Sequence, residues 1–146
     1  MIVADIMTTD VSTVKDNDNL VSAASLMLDL NVGALPVVND GGVLAGIITD
    51  RDITIRATAK GANPFSGTVA DCMTANPLAI RADANVQEAA DMMANAQVRR
   101  LPVIQDGQLV GIVSLGDLAV DVGEEEMIAE TLERISEPVR SEHMAA

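Results

Sequence analysis

The sequence predicts a mixed α/β (α+β) fold in which two β-α-β-β-α repeats pack as an intramolecular pseudo-twofold pair. Three observations lead there. Val3-Ala4-Asp5-Ile6-Met7-Thr8 recurs 66 residues later as Val69-Ala70-Asp71-Cys72-Met73-Thr74, and Leu35-Pro36-Val37-Val38 meets Leu101-Pro102-Val103-Ile104 at the same offset. Similarity at a fixed period marks a duplicated unit. After one residue is lost at a turn, the offset becomes 65, and Gly46-Ile47-Ile48-Thr49 meets Gly111-Ile112-Val113-Ser114. Finally, one copy of roughly 50 structured residues buries too little surface to stand alone, so two copies must share their stability.

Each repeat reads the same way along the chain. A short helical turn near Ile6 or Cys72 precedes an extended pair, Thr13-Val14 or Ala79-Ile80. Apolar residues then recur at three- and four-residue spacing, which predicts amphipathic helices over Leu20–Leu30 and Val86–Ala96. Two β runs follow in each copy, Ala34–Val38 with Val43–Ile48 and Arg100–Ile104 with Leu109–Val113. The Asp-Gly pairs between them signal hairpins. A second helix opens at Thr49 or Ser114, hydroxyl residues suited to an N-cap. These readings divide the chain into repeat 1 (residues 1–60), a Gly/Pro-containing linker (61–67), repeat 2 (68–122) and an acidic C-terminal helix and tail (123–146). In that last segment Met127, Ile128, Leu132 and Ile135 fall on one face, a stripe expected to pack on the body or on another subunit.

Composition narrows the function. Phe65 is the only aromatic residue, so no platform exists for stacking bases, and 22 acidic against 9 basic residues give a net charge of -13 that repels a phosphate backbone. Nucleic acid is not an expected partner. Cys72 is alone and His143, the single histidine, lies within the last four residues, which excludes a Cys-based zinc site and a triad built on an internal histidine. Met1–Asp10 has no basic n-region, and the longest apolar run is about six residues, far short of a span. A cytoplasmic protein that is neither an enzyme nor membrane-bound is the expectation.

The sharpest local pattern is Gly-x-x-Thr/Ser-x-x-Asp, present as Gly46, Thr49, Asp52 and as Gly111, Ser114, Asp117. It falls where a strand opens into a helix. Free N–H groups there, with a hydroxyl beside them, suit a phosphate, and the aspartate one turn on can accept from a ribose diol. The same residues also make good caps, the hydroxyl on the helix and the acid facing its dipole. The two roles are compatible.

Together, Asp5-Ile6-Met7-Thr8, Gly33-Ala34-Leu35-Pro36-Val37-Val38, Gly46-Ile47-Ile48-Thr49-Asp50-Arg51-Asp52 and their second copies resemble a tandem pair of CBS domains, the module named after cystathionine β-synthase. The chain is similar to small stand-alone bacterial members, including an actinobacterial hypoxia-response type. The resemblance covers Val3 to about Val120 and implies a homodimer, no catalysis, and an adenosine ligand (AMP, ATP or S-adenosylmethionine) in clefts between the repeats. It implies ligand contacts by Thr49, Asp52, Ser114 and Asp117, and phosphate contacts by Arg99 and Arg100, whose planar forks match phosphate oxygens. Arg51 and Arg56 are candidates for charge in the first copy, where Gly33 and Ala34 stand in place of the arginine pair. Surface ion pairing explains these arginines equally well. Val14, Ile80, Val32, Val98, Pro36 and Pro102 are candidates for an aliphatic base pocket, with core packing as the default. No cofactor is required. A regulated protein partner that reads the ligand state is one expectation, and a ligand-free dimeric scaffold in stress adaptation is the alternative.

Overall fold

The computed structural model describes residues 1–138, so His143 and the end of the acidic tail lie outside the described residues. The described chain is a mixed α+β structure with two sheets. In order it runs through a 3-10 turn at Val3–Asp5, β1 (Val14–Lys15), α1 (Leu20–Leu30), β2 (Ala34–Val38), β3 (Leu44–Thr49), α2 (Asp50–Arg56) and a 3-10 turn at Thr58–Lys60. The second copy supplies α3 (Val69–Cys72), β4 (Thr74–Ala75), β5 (Ile80–Arg81), α4 (Val86–Ala96), β6 (Arg100–Gln105), β7 (Gln108–Ser114) and α5 (Leu115–Asp117). A π-helical turn over Leu118–Val122 and α6 (Glu125–Ile135) complete it.

The equivalent helices α1 and α4 begin and end for the same local reasons. Asn19 accepts from the Ser22 N–H at 2.8 Å, and Asn85 accepts from the Glu88 N–H at 2.8 Å, each satisfying an amide that the first turn leaves free. Both helices stop in a left-handed residue, Asn31 at φ 54° and Gln97 at φ 55°. The next amides, Val32 and Val98, reach back to the Met27 and Met93 carbonyls, a Schellman-type closure.

Four strands form the first sheet, in the order β1-β2-β3-β4. β1 runs parallel to β2, with Val14 opposite Val37; α1 makes the crossover that a parallel pair requires. β2 and β3 form the antiparallel hairpin, with Leu35 opposite Ile48. The fourth strand was not expected. β4 belongs to the second repeat's leader, yet it pairs with β3 of the first, Ile47 opposite Thr74. The second sheet has the order β5-β6-β7, and there the first repeat's leader returns the exchange: Thr8 and Ile112 hydrogen-bond in both directions at 2.8 and 2.9 Å.

Because of this exchange, the compact units cut across the sequence repeats. One unit holds Asp10–Ala79 with Ile104–Val110; the other holds Met1–Thr9, Ile80–Val103 and the described residues from Gly111. In the first, Val14, Leu20, Met27, Leu35, Val37 and Ile48 form a buried cluster with Val69 and Cys72. In the second, Val3, Met93, Leu101, Val103, Val113 and Leu118 are buried. That unit also contains α6, packed on α4. The expected stripe is only partly the packed face: Met127 is buried and Ile128 and Ile135 half-buried, but Leu132 is exposed. Thr131 is buried instead, its hydroxyl donating to the Met127 carbonyl at 2.7 Å, which lets a polar residue sit in the contact unpenalised. Gln97 donates to the Arg134 and Glu137 carbonyls at 3.2 Å each, and the Arg134 guanidinium to Asn95, tying the end of α6 to the end of α4.

Candidate ligand site

The two Thr/Ser-x-x-Asp motifs are built alike. β3 ends at Thr49 (φ -118°, ψ 162°) and β7 at Ser114 (φ -120°, ψ 162°), extended residues that cap the helices following them. The Asp52 N–H donates to Thr49 Oγ1 at 3.0 Å, while the Thr49 N–H donates to Asp52 Oδ2 at 2.9 Å. In the second copy the Asp117 N–H donates to Ser114 Oγ at 3.1 Å and the Ser114 N–H to Asp117 Oδ2 at 2.8 Å. These are complete capping boxes. Each box uses one lone pair of the hydroxyl and one carboxylate oxygen, so a hydroxyl proton and Oδ1 remain for another partner.

The first turns differ in what is left free. In α2 the Asp50 N–H donates to the Gly33 carbonyl at 2.9 Å and the Arg51 N–H to the Asp50 carboxylate at 2.8 Å. With Asp52 engaged by Thr49, every first-turn amide of α2 is occupied, contrary to the expectation of free N–H groups in both copies. The reason is local: Asp50 brings its own anion to the turn. In α5 the Leu115 N–H donates to the Arg99 carbonyl at 2.8 Å and Asp117 is capped, which leaves the Gly116 N–H without a protein partner among the described residues.

The candidate arginines separate too. Arg56 pairs with the motif's own carboxylate, its guanidinium 3.9 Å from Asp52 Oδ1, and donates to the Cys72 and Met73 carbonyls at 3.1 and 3.2 Å. Arg51, Arg99 and Arg100 are exposed and form no ion pair among the described residues. Surface pairing therefore does not account for them. Val14, Ile80, Pro36 and Pro102 are buried on the sheets, and Val32 and Val98 are less so. The glycine of each motif, read as allowing close approach, approaches protein: a Cβ on Gly46 would stand 2.6 Å from the Thr74 carbonyl oxygen, and one on Gly111 2.8 Å from that of Thr8. The sequence carried a signal for this, since Gly46 and Gly111 repeat together with the leaders they receive.

Comparison with known proteins places the chain. The CBS domain family model matches residues 3–57 and 69–124. This chain belongs to the CBS-domain family. CBS pairs are generally regulatory, non-catalytic modules. A CBS domain-containing protein of Bacillus subtilis, YhcV, is 44% identical over 92% of this chain and 94% of its own. Hypoxic response protein 1 of Mycobacterium tuberculosis is 39% identical over 79% of this chain and 80% of its own. Among solved CBS structures, hypoxic response protein I with two coordinated zinc ions superposes with a TM-score of 0.76, at 37% identity over 83% of this chain and 98% of that one. CBSX2 in complex with AMP gives a TM-score of 0.73 at 29% identity, covering 86% and 98%. The CBS pair of protein MJ0100, in complex with 5′-methylthioadenosine and S-adenosylmethionine, gives 0.70 at 31% identity, covering 84% and 96%. No helix among the described residues is long and apolar enough to cross a membrane, and none of their His, Cys, Asp and Glu side chains gather into a metal-binding group.

Cys72, which sits in the leader of the second repeat, is 1% exposed. Burial pushes its thiol pKa up, and the carboxylates of Asp71 and Asp52 push it further the same way. The unfolded chain therefore ionises this thiol at lower pH than the folded one, so Cys72 lowers stability as pH rises above its unfolded value. Alkylation by iodoacetamide at pH 8 should be slow in the native protein and fast in urea, measured by intact mass. Equal rates in the two states would contradict a buried, protonated thiol.

Proposed function

We propose that this chain is a non-enzymatic regulatory sensor that binds an adenosine-type ligand, AMP, ATP or S-adenosylmethionine, at the strand-to-helix junctions of its repeats. One observation carries the reading: both copies hold a hydroxyl and a carboxylate in the same backbone frame, each with hydrogen-bonding capacity beyond what capping uses. Asp52 and Asp117 would accept from the ribose diol through Oδ1. Thr49 and Ser114 would donate to the 5′ group, with Arg51, Arg99 and Arg100 supplying charge. Val14, Ile80, Pro36 and Pro102 would offer their outer edges to the base. The adenosine complexes of CBSX2 and MJ0100 support this assignment. Bound ligand would stabilise one conformation of a cytoplasmic homodimer, and a protein partner would read that state. No cofactor is needed, and neither nucleic acid nor membrane is a partner.

A second reading has its own support. The capping boxes explain Thr49, Asp52, Ser114 and Asp117 with no ligand at all, and Leu28 and Leu30 on α1 are exposed as apolar surface for another copy. Such a chain would be a dimeric scaffold in stress adaptation, a role in keeping with the name of its hypoxic-response relative. Thermal unfolding separates the two. AMP, ATP or S-adenosylmethionine at about 100 times its dissociation constant should stabilise by about 2.7 kcal/mol, a rise in Tm of roughly 5–10 °C. The rise should disappear when Asp52→Ala and Asp117→Ala are combined. No rise with any of the three compounds would favour the scaffold.

A further inference from the structure

Resting on the adenosine reading, we propose that the two repeats select ligands of opposite charge class. The second repeat takes a phosphorylated adenosine, and the first takes an adenosyl compound whose 5′ group is neutral or cationic. The frame is the same in both: the amide after the cap donates to the residue that opens the hairpin, Asp50 to Gly33 at 2.9 Å and Leu115 to Arg99 at 2.8 Å. What hangs on that frame is inverted. A Cβ built on Gly33 would lie 3.1 Å from Asp50 Oδ2 and 3.3 Å from Oδ1, so the Asp50 carboxylate covers the spot from which residue 33 would project a side chain. At the matching position the second repeat projects Arg99, and Leu115 stands where Asp50 was.

Gly33 and Arg99 are therefore partners in a swap. Glycine admits the carboxylate of Asp50; arginine and leucine replace that anion with a cation. Asp50 and Asp52 stand with Arg51 and Arg56 in the first site, two acids against two bases, while Arg99, Arg100 and Asp117 give the second site two bases against one acid. Arg56 offsets Asp52, its guanidinium 3.9 Å from Oδ1 while donating to the Cys72 and Met73 carbonyls, which leaves the Asp50 carboxylate over the space beside Gly33. The Arg51 amide is also closed to an incoming anion by Asp50 at 2.8 Å, whereas the Gly116 amide has no partner among the described residues. A 5′-phosphate held by its ribose on Asp52 would meet the Asp50 carboxylate; the same phosphate held on Asp117 would meet an amide and two guanidinium groups.

The test is calorimetric titration of the full chain with AMP and, separately, with 5′-methylthioadenosine. Asp117→Ala should weaken AMP roughly tenfold or more and spare methylthioadenosine, and Asp52→Ala should do the reverse. Asp50→Asn keeps an oxygen for the Arg51 N–H, so folding is preserved; it should strengthen AMP at the first site roughly tenfold and leave methylthioadenosine unchanged. If both compounds bind but each aspartate variant weakens both equally, or Asp50→Asn leaves AMP unchanged, charge sorting is wrong while the adenosine reading stands. If neither compound, nor S-adenosylmethionine, gives a binding heat, the adenosine reading itself falls and the sorting with it.

Discussion

Gly46→Ala should destabilise the chain by about 2–3 kcal/mol, which lowers Tm by roughly 5–10 °C. The new Cβ would stand 2.6 Å from the Thr74 carbonyl oxygen and 2.7 Å from Met73 Sδ. The thioether can swing aside, but the carbonyl cannot, because Gly46 pairs with Ala75 and Ile47 with Thr74 along the same ladder. Relief must come from parting β3 and β4, which loosens the strand that ends at Thr49. Gly111→Ala should behave alike, its Cβ falling 2.7 Å from Met7 Sδ and 2.8 Å from the Thr8 oxygen. Gly41→Ala is the control, since its nearest neighbour, Asn39 Oδ1, is at an ordinary 3.4 Å and the residue is exposed. Urea unfolding would read the difference as a lower midpoint at unchanged slope. A loss below about 0.5 kcal/mol for Gly46→Ala would mean the leader strand is not held as described.

Leu20→Ala should cost about 3–4 kcal/mol, whereas Leu28→Ala on the same helix should change stability by less than about 0.5 kcal/mol. The two leucines share a residue type and an element. They differ in where the helix points them. Leu20 is 1% exposed, packed in the cluster with Val37, Ile48 and Val69, and its Cδ1 lies 3.0 Å from where a Cβ on Gly67 would be. Truncation leaves a cavity walled by the sheet, the leader of the second repeat and the linker, none of which can collapse without breaking hydrogen bonds such as Leu20 N–H to the Gly67 carbonyl at 3.1 Å. Leu28 is 81% exposed, so its truncation removes almost no buried surface. A loss under about 1 kcal/mol for Leu20→Ala would show that the cluster repacks freely.

The repeats, helices α1 and α4, the hairpins and the caps at Thr49 and Ser114 were legible in the order of residues because each depends on neighbours within a few positions. Apolar spacing gave α1 and α4 their bounds, and Asp-Gly pairs placed the turns, where Gly42 and Gly107 both carry φ 78°. The motif residues were legible for the same reason, since a capping box spans three residues. Other features were not. That Met73-Thr74 lies on Gly46 and Met7-Thr8 on Gly111 depends on contacts between segments about 30 and 100 residues apart, and no local pattern encodes which sheet a leader joins. The stripe of α6 was half right, because helical spacing names a face but the partner helix decides how far it is rolled, and Thr131 rather than Leu132 went under. That Arg56 donates to the Cys72 and Met73 carbonyls, 16 and 17 residues on, was not legible either.

The sequence by itself thus determined that the fold is a duplicated β-α-β-β-α module with matching hydroxyl and carboxylate pairs, since duplication and short-range periodicity are written residue by residue. Only the tertiary structure decided that the repeats trade leader strands and that the Asp50 carboxylate covers the space beside Gly33. Both outcomes turn on what fills a given space, the Thr74 and Thr8 carbonyls against Gly46 and Gly111 and the Asp50 carboxylate against Gly33, and space is set by the fold as a whole.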